Sequence, residues 1–145
     1  MKTLDFVKIL LLTVFTLSLV SCGDDIYYTM QNSDDKLCNK VWMEQYETED
    51  GYLCRHQLEF KKVRQDNKEV YSGKETTIVQ KTGTTETTSK DFTWKWIDNT
   101  MEGLILSYGA GDIQYFENVW VREHYLSGKL DGRVIVLTDL PEAIK

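Results

Sequence analysis

The sequence predicts an all-β domain: an antiparallel meander of seven or eight strands closing into a barrel, with a two-sheet sandwich as the alternative. Three observations carry this expectation. From Leu37 onward, runs rich in β-branched and aromatic residues alternate with glycines and short polar clusters. The one proline, Pro141, lies near the end and interrupts none of these runs. Two Asp-Gly pairs, Asp50-Gly51 and Asp131-Gly132, stand between such runs, as hairpin turns do. A meander of this kind protects its edges by closing on itself or by stacking two sheets.

The strands follow in order. Residues 41–48 and 52–61 flank Asp50-Gly51. A two-residue turn there sets Val41 and Met43 against Phe60 and Leu58 on one apolar face, with Cys54 opposite Glu47. Residues 70–80 and 84–97 flank a turn near Gly83. Thr76, Thr77, Thr82, Thr84, Thr85, Thr87 and Thr88 crowd this stretch and point to exposed β-structure, because threonine fits a strand without burial. A glycosylated stalk is the alternative, although such stalks also carry proline.

Phe92, Trp94 and Trp96 occupy every second position, so all three leave one face of a strand. Leu104, Leu106 and Tyr108 repeat the pattern before the turn Gly109-Ala110-Gly111-Asp112. Pairing across that turn sets Tyr108 against Ile113, Leu106 against Tyr115 and Leu104 against Glu117. The polar Glu117 means that the strand leaves the core there or that a bulge resets the face. Residues 119–130 and 133–138 flank Asp131-Gly132, and the tail 139–145 reads as a short helical turn started by Pro141.

At 145 residues the chain is one domain by length, able to bury a core without metals or staples. Aromatic residues at 12% and charged residues at 28% place it with globular rather than disordered proteins. The net charge of −6 argues against nucleic acid as a partner and against adsorption to anionic lipid through a basic surface.

The N-terminus fixes the expected address. Lys2 and Lys8 precede an apolar run that reaches Ser21, the length of a secretory core segment and too short to span a bilayer. Leu19-Val20-Ser21-Cys22 resembles a bacterial lipobox. The resemblance implies a signal peptide over 1–21, cleavage before Cys22 and a diacylglycerol on the Cys22 thiol. The expected partner is thus the membrane, held by acyl chains at about 0.8 kcal/mol per buried methylene. Removing residues 1–21 leaves a net charge of −7. Residues 22–36 read as a polar, lipidated tether, and 37–145 as the β-barrel domain. Asp24-Asp25 resembles the acidic signal that sends some Bacteroidetes lipoproteins to the outer face of the cell. The location expected is the outer membrane, with the periplasmic or surface side left open.

Several segments together resemble the small Bacteroidetes lipoproteins that carry lipocalin-like domains. They are the lipobox, the opening Leu37-Cys38-Asn39-Lys40-Val41-Trp42, a second strand ending Leu58-Glu59-Phe60, and Phe92-Thr93-Trp94-Lys95-Trp96. Leu104-Ile105-Leu106-Ser107-Tyr108 and Leu126-Ser127-Gly128-Lys129-Leu130-Asp131-Gly132 complete the set. The likeness covers about residues 37–138 and implies a lipocalin-like barrel. Its motifs mark strands and turns, so it carries over no binding residue.

Chemistry-bearing motifs are sparse. With Cys22 spent on lipid, Cys38 and Cys54 remain, and an exported compartment permits a disulfide between them. The hairpin register argues the other way, since Cys38 falls roughly 30 Å along the strand from the point opposite Cys54. Cys54 and His56 share a strand face with Leu58 and Phe60, which favours a core position over metal ligation. No Gly-x-Ser-x-Gly elbow occurs, and Gly109-Ala110-Gly111 precedes a strand rather than a helix. The expectation is a protein that is not an enzyme and needs no cofactor or metal. Trp42, Trp94, Trp96, Tyr108 and Tyr115 are the candidate ligand-facing aromatics: they either fill the barrel or line a mouth. The expected role is therefore binding, of a small apolar or glycan ligand inside or of an envelope protein outside. The alternative is a structural or inhibitory envelope protein with a filled barrel and no small ligand.

Overall fold

The computed structural model describes residues 30–144. The signal peptide expected over 1–21, the expected lipidation site Cys22 and the pair Asp24-Asp25 lie outside the described residues. A four-residue helix, α1 (Asp34–Leu37), precedes eight strands: β1 (Val41–Glu47), β2 (Leu53–Gln65), β3 (Lys68–Lys81), β4 (Thr84–Trp96), β5 (Leu104–Gly109), β6 (Asp112–Val121), β7 (Tyr125–Leu130) and β8 (Arg133–Thr138). A 3₁₀ turn, Pro141–Ala143, follows with proline at its start, as the tail of the sequence suggests. Consecutive strands pair antiparallel, and β8 returns to β1 to close the barrel. The closure is narrow, with Met43 opposite Thr138 as its one registered pair.

Turn chemistry sets the registers. Asp131-Gly132 is a two-residue turn with both residues in the left-handed region, which suits the twist of the flanking strands. Asp66 and Asn67 form another such turn, so β2 and β3 run unbroken through 62–69, where the sequence reading stops short. Asp50-Gly51 differs from expectation. Thr48 and Tyr52 close a loop of three residues, with the Thr48 N–H donating to Tyr52 O at 2.8 Å and Gly51 at φ +78°. The extra loop residue moves the pairing by one place. Tyr46, not Glu47, faces Cys54, and Trp42, not Val41, faces the core beside Leu58. A slip of one residue exchanges the faces of a strand.

The β5–β6 hairpin carries a second correction. A bulge at Tyr108 lies between the Ser107–Ile113 and Gly109–Asp112 pairs. Leu106 therefore faces Gln114, and Leu104 faces the buried Phe116 rather than Glu117. The bulge keeps the apolar face continuous and turns Tyr115 outward. A second bulge at Asn118, with φ +51°, brings Val119 and Val121 inward after Phe116.

The core sits between α1 and the middle of the barrel. Trp42, Leu58, Phe60, Phe92, Trp94, Leu104, Leu106, Phe116, Leu126 and Leu137 are all buried there with Leu37 and Cys38. Gly73 makes room for Phe92, since a methyl group on its backbone would come within 2.3 Å of that ring. Asn32 and α1, which fall within the tether expected over 22–36, belong to the compact unit that begins at Asn32. The Asn32 amide donates to Met101 O at 2.7 Å and Val119 O at 2.6 Å, and its Oδ1 accepts from Val121 N–H at 2.8 Å. These bonds fasten α1 over one end of the barrel by satisfying backbone groups that β5, β6 and their loops leave open.

Candidate functional site

The aromatics singled out by sequence separate into three places. Trp42, Trp94 and Trp96 face inward at the α1 end and are built into its packing. Trp42 Nε1 donates to Leu37 O at 2.8 Å. Trp94 Nε1 donates to Ser72 O at 3.0 Å and Lys61 O at 3.2 Å. Trp96 Nε1 donates to Asp34 Oδ1 at 2.7 Å. Trp94 also meets Phe60, Tyr71 and Trp96 edge to face, with centroids 4.9–6.1 Å apart. Such contacts add about 0.5–1.5 kcal/mol each to area burial. These rings fill space rather than line it.

Tyr108 marks the boundary with the opposite end, which is polar. There His56 Nε2 lies 2.7 Å from Glu75 Oε1, and His56 Nδ1 lies 3.1 Å from Glu44 Oε1. Arg133 Nη2 donates to the same Glu44 oxygen at 2.5 Å. Lys90 lies over the Tyr108 ring, 5.8 Å from its centroid. Charges thus alternate around the inner wall: Arg133 on β8, Glu44 on β1, His56 on β2, Glu75 on β3 and Lys90 on β4. Burial opposes the imidazolium, yet the two carboxylates outweigh it and raise the His56 pKa above its ordinary value. Burial likewise opposes ionisation of Glu44 and Glu75, but hydrogen bonding to His56 outweighs it and lowers both. The arrangement favours the imidazolium form of His56 between two carboxylates. The Tyr108 hydroxyl is buried beside Glu75 without a hydrogen-bond partner. Burial first, and Glu75 second, push its pKa up.

Cys38 and Cys54, the pair weighed for a disulfide, are both buried free thiols in this structure. Cys54 pairs with Tyr46 near the mouth, whereas Cys38 lies beside Phe60, whose carbonyl accepts from the Asn39 N–H at 3.1 Å. Six residues of β2 separate those two points, roughly 20 Å at the usual strand rise. Burial, with Asp34 nearby, pushes the Cys38 thiol up to about 11 and keeps it protonated.

Tyr115 faces out, and the bulge at Tyr108 is the reason. It joins an apolar outer face that sequence reasoning missed. Trp120, Ser127 and Val136 align across β6, β7 and β8, flanked by Tyr125 and Val134. Trp120 is 52% exposed and Val134 74%, far above what a core side chain shows. The Arg122 guanidinium lies 4.5 Å from the Trp120 ring. A groove of about 400 Å³ at the β1–β8 seam continues this face, between Met43, Tyr125, Val136 and Ile144. The signal was present in the sequence, because Val134 and Val136 alternate with the buried Ile135 and Leu137. Two apolar faces on one short strand are readable as one face in and one face offered.

A larger groove, of about 620 Å³, lies on the outer side of β2–β5 and is lined by Glu59, Lys61, Lys74, Asp91 and Thr93. Its charges are mixed, and Gly73, Phe92 and Tyr108 add apolar surface to its wall, so Tyr108 borders this groove. Comparison with known protein families, with curated proteins and with solved structures finds no match.

Proposed function

We propose that this chain is a lipid-anchored, non-enzymatic binding protein of the bacterial cell envelope, held at the outer membrane by acylated Cys22. In this reading the barrel docks an envelope protein through the outer face of β6–β8 rather than enclosing an apolar or glycan ligand. One observation carries the choice. The tryptophans suited to lining a pocket are consumed in packing, while Trp120, Tyr125, Val134 and Val136 remain exposed together. Contiguous exposed apolar surface of this kind marks interaction sites, and tryptophan and tyrosine are the residues that dominate them. The short, acidic N-terminal segment supports a domain reached by partners at a membrane surface rather than one lying flat on lipid.

Two measurements test the reading. Mass spectrometry of the membrane fraction is expected to find a mature N-terminus at Cys22 carrying diacylglycerol. An intact Met1 with an unmodified Cys22 sulfur overturns the anchor. A photo-reactive residue in place of Trp120 or Val136 is expected to yield one discrete adduct in intact cells. Saturable quenching of tryptophan fluorescence by a lipid or glycan, retained in Trp120→Ala, would instead establish an interior pocket and overturn the docking face.

A further inference from the structure

The β3–β4 hairpin outruns the barrel. β4 pairs with β3 from Thr84 to Thr93, but β5 covers β4 only from Thr93 to Trp96. Among the described residues, the outer edge of β4 over 84–91 has no strand beside it, and every side chain in that stretch is exposed. Its hydrogen-bonding direction follows from the hairpin. The two-residue turn Thr82-Gly83 makes Lys81–Thr84 the hydrogen-bonded closing pair. Even-numbered residues then bond β3, and Thr85, Thr87, Ser89 and Asp91 direct their N–H and C=O groups to the free edge. An unpaired edge of this length is normally blunted by charged side chains, by proline, by a bulge or by a covering element, and the charges here, Glu86, Lys90 and Asp91, are of both signs. This one has no proline, and its ladder with β3 is unbroken.

The composition of the edge names its occupant. We infer that β4 pairs with β4 of a second copy of this chain, antiparallel, with Thr88 on the two-fold axis. That register sets Glu86, which Lys81 of its own chain also meets at 2.7 Å, opposite the partner's Lys90, and Lys90 opposite the partner's Glu86. It sets Thr87 against the partner's Ser89, Thr85 against the partner's Asp91, and Thr88 against the partner's Thr88. Opposite charges meet twice and like charges never. Shifting the register by two residues in either direction leaves Glu86 and Lys90 without each other. Threonine and serine pairs and opposite charges are the favourable cross-strand neighbours. The register also spans the whole free edge and ends where β5 begins, as an isologous interface with one shared patch requires. Four hydrogen-bonded residue pairs, about eight bonds, join the copies. The two barrels then share one continuous sheet, and the outer faces of β6–β8 stay free on both.

Thr88→Cys in the full chain tests this directly. Thr88 and its symmetry mate form a non-hydrogen-bonded pair, about 4.5 Å apart at Cα and within disulfide reach. Mild oxidation with diamide, read on a non-reducing gel of total cell protein, is expected to give a covalent dimer absent from the wild type. Thr84→Cys, on the same exposed strand, lies about 27 Å from its mate and is expected to give none. Glu86→Lys in the Thr88→Cys background is expected to cut the cross-linked fraction about tenfold, and adding Lys90→Glu to restore it. Equal cross-linking from positions 84 and 88, no cross-link from 88, or failure of the double charge exchange to rescue overturns the inference. Because total protein is read, the result is independent of the lipid on Cys22.

Discussion

At the α1 end, three indole N–H groups are met by the carbonyls of Leu37, Lys61 and Ser72 and by the Asp34 carboxylate. At the mouth, Glu44, His56 and Glu75 are met by one another and by Arg133. Both ends bury polar atoms, and both satisfy nearly all of them. The difference lies in what the satisfaction depends on. The Trp42 and Trp94 N–H groups, bonded to backbone carbonyls, keep their partners at any ordinary pH, and only Trp96 leans on a carboxylate, Asp34, which Lys62 also meets at 2.9 Å. A protonated histidine between two carboxylates keeps its partners only while all three hold their charges. One end of the barrel is held by shape and the other by ionisation.

The largest expected effect comes from breaking the end held by shape. Trp94→Ala removes a ring packed against Phe60, Tyr71 and Trp96 and leaves a cavity in the core. It is expected to cost about 3–5 kcal/mol in urea unfolding, whereas Tyr115→Ala on the outer face costs under about 0.5 kcal/mol. Equal losses at the two positions would mean that the packing of the α1 end does not dominate stability.

His56→Leu breaks the charged end. It preserves bulk but removes the cation between two half-buried carboxylates, leaving Glu44 with Arg133 and Glu75 with the adjacent Tyr108 hydroxyl and the more distant Lys90. The expected cost is about 3 kcal/mol, because removing one member of a buried ionic group strands the others. A variant as stable as the wild type would show that the carboxylates find water instead.

The pH profile separates the two ends without mutation. His56 has its folded pKa raised above 6.5, so its contribution is fully present below that value and is lost as pH rises through the folded one. Glu44 and Glu75 have theirs lowered below 4.5, so their contributions are present above 4.5 and are lost as pH falls through the lowered values. Stability measured by chemical unfolding is expected to plateau between about 4.5 and 6.5 and to fall on either side. In His56→Leu the fall that begins above about 6.5 is expected to disappear, leaving the later loss above about 9, where the Cys38 thiol ionises more readily in the unfolded chain. If the earlier fall persists in the variant, it belongs to another group.

How much of this was legible in the sequence follows the same division. Period-two aromatics and turn glycines identified the strands, their order and the single face shared by Phe92, Trp94 and Trp96, because side-chain alternation is a local property; which way that face points is set by the closed sheet. The residues that changed face were those whose register depends on one inserted residue: Val41 and Trp42 behind the three-residue loop at Gly51, and Tyr115 behind the bulge at Tyr108. A loop or bulge of one residue costs little and leaves no mark in composition, yet it exchanges the two faces beyond it. Glu44, Glu75 and Arg133 left no trace for another reason. Each looks like an ordinary surface charge, and only barrel closure brings β8, β1, β2 and β3 side by side. His56 was placed on the core face correctly, but its ion partners lie 12 and 19 residues away in sequence.

Tyr108 stands where the two ends meet, and it gives the finest test of the boundary. Its ring packs on Phe92 at 5.4 Å and belongs to the end held by shape. Its hydroxyl is buried toward Glu75 with no hydrogen-bond partner and belongs, by position, to the charged end. A buried hydroxyl without a partner has a desolvation cost and returns nothing. Tyr108→Phe keeps the ring and removes only that oxygen. It is expected to leave stability unchanged within about 0.5 kcal/mol or to raise it slightly, and to leave the pH plateau in place. A loss above about 1 kcal/mol, with the acid limb moved upward, would mean that the hydroxyl donates to Glu75 in solution. The triad would then extend two strands further around the mouth, past β4 to β5.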